Sequence, residues 1–287
     1  LLSEERLKET QISTKLLNSG LGKIAVYSNG KITLESNSGL VLPDFGELIL
    51  SGNQIEVNDS ISATAGKINL ISKQPAVPLA VGENNIAIAS GVKLSTAGSW
   101  VNDQLAGPDL TLQLKSADNG KSLWDGGTVS LEAYDGITLG EASVIDVSGS
   151  GYVNAAGKFT PGSAGEITLA TNKGKEAFSP LGALVLPADL RRTLRAFTSG
   201  KGGSLNLKVP ALTIGTAARG QAVAGDGELL LTQDFFSGNG FAKYNLEGRN
   251  SVVVTAGELA PTVAISTVDD SVAIRAPGSD IGQFSKL

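Results

Sequence analysis

One short phrase recurs along the chain and limits what the chain can become: a glycine, a polar residue, then alternating apolar and polar positions. It reads GKITLES from Gly30, GELILSG from Gly46, GKINLIS from Gly66, GTVSLEA from Gly127, GEITLAT from Gly165 and GSLNLKV from Gly203. Alternation of period two predicts a half-buried strand, because successive side chains of extended backbone point to opposite faces. Shorter alternating runs predict further strands at 54–57, 60–63, 86–89, 92–95, 137–139, 144–147 and 212–214. The cleanest unit spans 46–65, where three strands are separated by Gly52-Asn53 and Asn58-Asp59 before the pattern restarts at Gly66. Residues 125–149 read the same way.

Three short strands with tight corners, repeating near ~20 residues, describe one coil of a β-helix. The expected fold is therefore all-β: a right-handed, single-stranded parallel β-helix with short helical and loop insertions. Gly, Asn and Asp suit corners because they accept left-handed torsions. A β-sandwich or meander is the competing architecture, but the dipeptides that favour hairpin turns are few. Stacking at ~4.8 Å predicts roughly ten coils and a rod of about 50 Å.

The pattern implies a division into a helical flank over 1–20, coils over 21–171, an insertion over 172–202 and further coils over 203–287. Within the flank, residues 2–17 carry Glu4 and Glu5 ahead of Leu7, Ile12, Leu16 and Leu17, which predicts a helix. In the insertion, Pro187 precedes Leu190, Leu194 and Phe197 at helical spacing. A Gly/Ser/Ala loop is expected to leave one corner over 149–164. A longer echo also appears. The stretch from Leu16 to Leu34 resembles that from Phe235 to Val254, with Asn239 inserted.

Composition narrows the chemistry. Apolar residues make up 41% of the chain and aromatics only 5%, so the core must be built of Val, Ile, Leu and Ala. The formal net charge of −5 argues against nucleic acid, whose phosphates call for clustered Lys and Arg. No apolar run approaches the ~20 residues of a membrane span. The chain has no Cys, His or Met. Missing Cys and His exclude thiolate and imidazole metal sites and every nucleophile activated by histidine. Missing Met and the polar start, which is no secretory signal, lead us to expect a processed or excised segment of a longer parent. Gly120-Lys121-Ser122 resembles the end of a phosphate loop, but Lys115 stands where its first glycine belongs.

GGTVSLEAYDGITL from Gly126, followed by SVIDVSGSG from Ser143, resembles the coil repeat of the filamentous haemagglutinin family. LTQDFFSGNGF from Leu231, followed by YNLEG from Tyr244, does so as well. The resemblance covers most of the chain outside 172–202. It implies a large Gram-negative exoprotein, secreted through an outer-membrane two-partner transporter and displayed as an adhesive, virulence-associated filament. Some members carry C-terminal toxins. The Asn-Pro-Asn motifs of the family's secretion domain have no counterpart here, so the transporter would be engaged by a region outside this chain.

Carboxylates are the remaining candidates for catalysis. Asp125, Glu132, Asp135, Glu141 and Asp146 fall within one predicted coil, and polysaccharide-active β-helices use such groups. Corner geometry and solubility account for them equally well. Corner Asp and Asn also raise calcium, but the Gly-rich nonapeptide of calcium-binding β-rolls is absent and Asp226 stands alone. Arg191, Arg192 and Arg195 form a basic cluster that, on a helix, would present a docking patch to an acidic glycan or partner. The expectation is a rigid structural and adhesive segment at the cell surface. Its partner would be a host or neighbouring-cell receptor or glycan, and no catalytic residue, cofactor or metal is assigned. A polysaccharide-active enzyme and a scaffold delivering a C-terminal toxin are the alternatives.

Overall fold

The Gly-headed phrases become rungs of stacked sheets in the computed structural model, which describes residues 9–10, 18–37, 39–74, 85–105, 122–173, 183–187, 190–215, 228–255, 265–268, 274–281 and 285–286. Five of them lie in a first sheet, where Lys23–Tyr27, Glu47–Gly52, Lys67–Ser72, Thr128–Glu132, Glu166–Ala170 and Gly203–Gly215 stack in parallel. The sixth, from Gly30, supplies Lys31–Leu34 to a second sheet with Glu9–Thr10, Gln54–Val57, Ile86–Ile88, Ile137–Leu139 and Leu184–Val185. A third sheet holds Leu40–Val41, Ile61–Ser62, Lys93–Ser95, Val144–Asp146 and Leu194–Arg195. Each coil gives one strand to each sheet, and every pairing between coils is parallel. The fold is a parallel β-helix.

Register turns the alternation into columns. Ile24, Leu48, Ile68, Val129, Ile167 and Leu205 occupy one inward column of the first sheet. Ile32, Ile55, Ile86, Ile137 and Leu184 form its counterpart in the second sheet, and Leu40, Ile61, Leu94, Ile145 and Leu194 in the third. All belong to one buried cluster. Each fully buried Leu or Ile contributes about 1.5–3 kcal/mol relative to exposure, so the three columns together add about 5–9 kcal/mol of gross burial with every coil. Outward positions stack polar groups: Asn206 Nδ2 donates to Thr168 Oγ1 at 3.0 Å, and Asn245 Nδ2 to Asn206 Oδ1. The echo holds at its first strand, since Lys23 and Lys243 stand in the same register column, but Lys31–Leu34 belongs to the second sheet whereas Ser251–Val254 continues a first-sheet strand.

Left-handed torsions occur at corner residues as expected, at Asn37, Gly91 and Asn172 with φ of 63°, 75° and 54°, but the corner leading into the first sheet works differently. Gly46, Gly66, Gly127, Gly165 and Gly203 do not use left-handed torsions; Phe45 and Ala65, immediately before two of them, do, at φ of 60° and 53°. These glycines are required by close approach instead. A Cβ on Gly66, Gly127 or Gly165 would lie closer than 3.0 Å to the carbonyl oxygen of the glycine one coil below. At the corner between the first and second sheets, Asn and Asp link coils by hydrogen bonds. Asn85 Nδ2 donates to the Asn53 carbonyl at 3.2 Å, its Oδ1 accepts the Asp135 N–H, and the Asn172 N–H donates to the Asp135 carbonyl at 2.8 Å.

Several expectations are corrected. First-sheet strands start at Lys23, Glu47, Lys67, Thr128, Glu166 and Gly203, so the short repeat holds only over the first coils. Five complete coils are described and the first sheet runs on to seven successive rungs, about 30 Å at ~4.8 Å between rungs, where roughly ten coils were expected. The span 172–202 is no insertion beside the rod: it carries Leu184–Val185 and Leu194–Arg195, which are core rungs. Its helix shrinks to one turn, Leu190–Thr193, because Leu194 is needed inward on the third sheet. The predicted helix over 2–17 lies outside the described residues except Glu9–Thr10, which is a strand parallel to Lys31 and Ile32.

The loop expected over 149–164 is an antiparallel hairpin, Gly151–Val153 with Phe159–Pro161, joined by Val101–Asn102 into a side lobe. Both tryptophans pack there, Trp100 on Phe159 and Trp124 on Tyr152, with ring centroids 5.8 and 4.5 Å apart. After the 14-residue strand Phe241–Val254, the described residues stop coiling: Thr267–Val268 and Ser285–Lys286 pair antiparallel. No helix among the described residues is long and apolar enough to cross a membrane.

Candidate functional site: a groove over the third sheet

The third sheet turns its apolar residues inward and leaves Val41, Ser62, Ser95, Asp146 and Arg195 as an outward column in register. Two residues further along the chain, Thr64, Ala97, Ser148 and Phe197 succeed the last four of these. They join Ser62, Ser95, Asp146 and Arg195 in lining a groove of about 600 Å³. The side lobe borders it through Trp100, Gly149 and Ser150, and Ser266 with Gly278 to Ile281, part of a segment packed on that lobe, completes the lining.

That segment comes from far along the chain and is held by hydrogen bonds. Asn102 Nδ2 and Trp100 Nε1 both donate to the Arg275 carbonyl, at 2.8 and 3.3 Å. The Gly278 N–H donates to the Trp100 carbonyl at 2.8 Å, and the Ser266 N–H to the Thr198 carbonyl at 2.9 Å.

Charge in the groove is balanced. Lys93 Nζ lies 3.1 Å from Asp146 Oδ2, while Asp146 Oδ1 accepts the Ser148 N–H at 3.1 Å. Arg195 donates from Nε to the Arg192 carbonyl at 2.9 Å, using one of its five N–H groups. Ser148 Oγ accepts the Phe197 N–H at 3.0 Å, tying two rungs of the second outward column. Asp280 adds a second carboxylate from the segment docked on the lobe. The arrangement offers hydroxyls, one half-buried ring and two charges of each sign, all but Asp280 carried by the third sheet and its continuation.

The five acids singled out in the sequence go to separate places. Asp125 anchors the base of the lobe, accepting the N–H of Ser163 at 2.7 Å and of Ser122 at 3.2 Å. Glu132 faces outward from the first sheet, paired with Lys173. Asp135 belongs to the corner stack, and Glu141 is exposed beside another corner. Only Asp146 reaches the groove. The arginine cluster is also divided, which corrects the shared helical face. Arg192 is exposed on the single helical turn, Arg195 sits on a strand and lines the groove, and the Arg191 side chain lies outside the described residues.

The hydroxyl columns escaped the sequence reading, although the pairs Ile61-Ser62, Leu94-Ser95 and Ile145-Asp146 repeat an inward–outward step that signals them. Asp280 carries no such signal, because only the docking of its segment brings it near. Among the described residues no three His, Cys, Asp or Glu side chains converge as metal ligands would. Comparisons of the chain with protein-family models, with curated proteins and with solved structures give no match.

Proposed function

We propose that this chain is a rigid structural and adhesive segment of a large secreted bacterial surface exoprotein of the filamentous haemagglutinin kind. The coils set reach, and the groove over the third sheet makes contact with a partner. The observation carrying this reading is a lateral groove mounted on a continuous stacked core, with the inward columns filled by Ile, Leu and Val in every coil. Such a core supports its neighbours coil by coil, and its exposed faces are left for recognition. Beads coated with the folded segment should adhere to host or neighbouring bacterial cells, and beads coated with the heat-unfolded segment should not. Equal adhesion by both would refute the reading. Deleting 172–202 is no test, because it removes two core strands.

A second reading, a polysaccharide-active enzyme, is favoured by one observation: Asp146, Asp280, Lys93 and Arg195 share the groove. Against it, of the five acids in the predicted coil Asp146 alone reaches the groove, and the other carboxylate there, Asp280, comes from a separately docked segment rather than from the same rungs. Release of reducing ends or unsaturated products from a panel of glycans, abolished by Asp146→Asn, would establish this second reading instead.

A further inference from the structure

We infer that the groove over the third sheet binds an uncharged oligosaccharide laid along the rod axis. This rests on the adhesive reading and names the ligand class of its site. The first argument is spacing. Ser62, Ser95, Asp146 and Arg195 stand on successive rungs, so their polar groups recur at ~4.8 Å. That step is commensurate with the advance of one hexose along an extended glycan, so each rung meets the hydroxyls of one ring.

The second argument is chemistry. Paired hydroxyls on a sugar ring are recognised by planar or multidentate polar groups, and Arg195, Asp146 and Lys93 supply a fork, a carboxylate and an ammonium within one groove. Phe197 offers a half-buried face for the C–H side of a ring. The third argument is charge. Two cations and two carboxylates line the groove and the whole chain carries −5, so nothing in the field favours a polyanion. Arg195 lines the groove beside the Asp146 carboxylate while Arg192 stands exposed on the helical turn, so these two do not form the joint patch expected to draw an acidic glycan. A peptide is disfavoured because the floor is a sheet face, whose main-chain groups are spent in the ladder, and strand addition needs an edge.

The test is an array of neutral gluco-, galacto- and manno-oligosaccharides, from trisaccharide to hexasaccharide, beside sulfated and uronate-bearing counterparts. It is probed with the whole chain, with Phe197→Ala and with Ser62→Arg. Phe197 is half-buried, so Ser62→Arg, an outward change on the floor, serves as the variant that leaves the core alone. The expected result is capture of a neutral series that is unchanged from ~0.1 to ~1 M salt. Both variants should weaken it at least tenfold, with thermal unfolding of Ser62→Arg unaltered. Capture confined to charged glycans and lost in high salt overturns the inference, as does neutral capture that both variants retain. No capture of any sugar by a chain whose coated beads still adhere to cells overturns the groove assignment and leaves the adhesive reading standing. Failure of both assays removes both.

Discussion

Replacing Gly127 by alanine is expected to cost far more than a surface glycine should. Gly127 heads the first-sheet strand of the fourth coil. It is held from both sides: the Thr128 N–H donates to the Gly66 carbonyl at 2.9 Å, and the Glu166 N–H donates to the Gly127 carbonyl at 3.0 Å. An added Cβ meets the Gly66 carbonyl oxygen and amide nitrogen closer than 3.0 Å, and both are backbone atoms that cannot swing away. Relief requires the coils to part locally by about 1 Å, which forfeits much of the dispersion contact there. Parting them weakens two stacked hydrogen bonds, worth about 1 kcal/mol each net. Strain of the kind seen on overpacking adds about 1–3 kcal/mol. The sum, about 3–5 kcal/mol, is a large share of the ~5–15 kcal/mol that holds a folded domain.

Gly22 is the internal control. It stands in the same corner column, its carbonyl accepting the Glu47 N–H at 2.9 Å, yet nothing lies within 4 Å of an added Cβ. Gly22→Ala should therefore be neutral, or stabilising by about 0.4–1 kcal/mol through the unfolded chain. Urea unfolding followed by far-ultraviolet circular dichroism measures both, with an unchanged m-value showing that the same surface is exposed. If Gly127→Ala unfolds within about 1 kcal/mol of the parent and beside Gly22→Ala, the close-approach account of the glycine column is wrong.

Burial holds the Tyr244 phenol up at about 12, amid Phe235, Phe236 and Phe241. Below the ordinary phenol range its contribution is constant. Between pH 10 and about 12 the unfolded chain ionises first, so stability should fall there, and Tyr244→Phe should flatten that limb of a pH-resolved melting curve. Asn102→Ala removes the 2.8 Å hydrogen bond to the Arg275 carbonyl and should loosen the groove border by about 1–3 kcal/mol. Limited proteolysis should then cut near 274–281 faster while the coils stay resistant. The strand Phe241–Val254 ends in exposed Val252, Val253 and Val254, and among the described residues no other strand pairs with its outer edge. Charged residues blunt such edges, so Val253→Lys should reduce concentration-dependent self-association in sedimentation velocity without lowering the melting temperature.

Much of this architecture is legible in the order of residues alone. Strand positions and the inward or outward side of each residue follow from alternation, because the period of two is a local property of extended backbone. The strands predicted at 54–57, 137–139 and 212–214 stand where expected, the last inside Gly203–Gly215. The all-β parallel class followed from the restarting glycine phrase, and the echo between Leu16–Leu34 and Phe235–Val254 marked the shared column of Lys23 and Lys243, though not their following strands, which lie on different sheets.

Vertical neighbours were decided only in three dimensions. Lys67–Ser72 stacks directly on Thr128–Glu132 despite the long chain between them. Loop closure grows only with the logarithm of length, so coils tolerate long excursions at small cost and their spacing stops being periodic in the sequence. For the same reason Leu184–Val185 and Leu194–Arg195 looked like an insertion, and the helical stripe of Leu190, Leu194 and Phe197 yielded to a column that required Leu194 inward. The groove belongs to this second class. Ser62, Ser95, Asp146 and Arg195 are remote in sequence and share a face only through stacking, and Asp280 joins them only because Asn102 and Trp100 bind the backbone at Arg275.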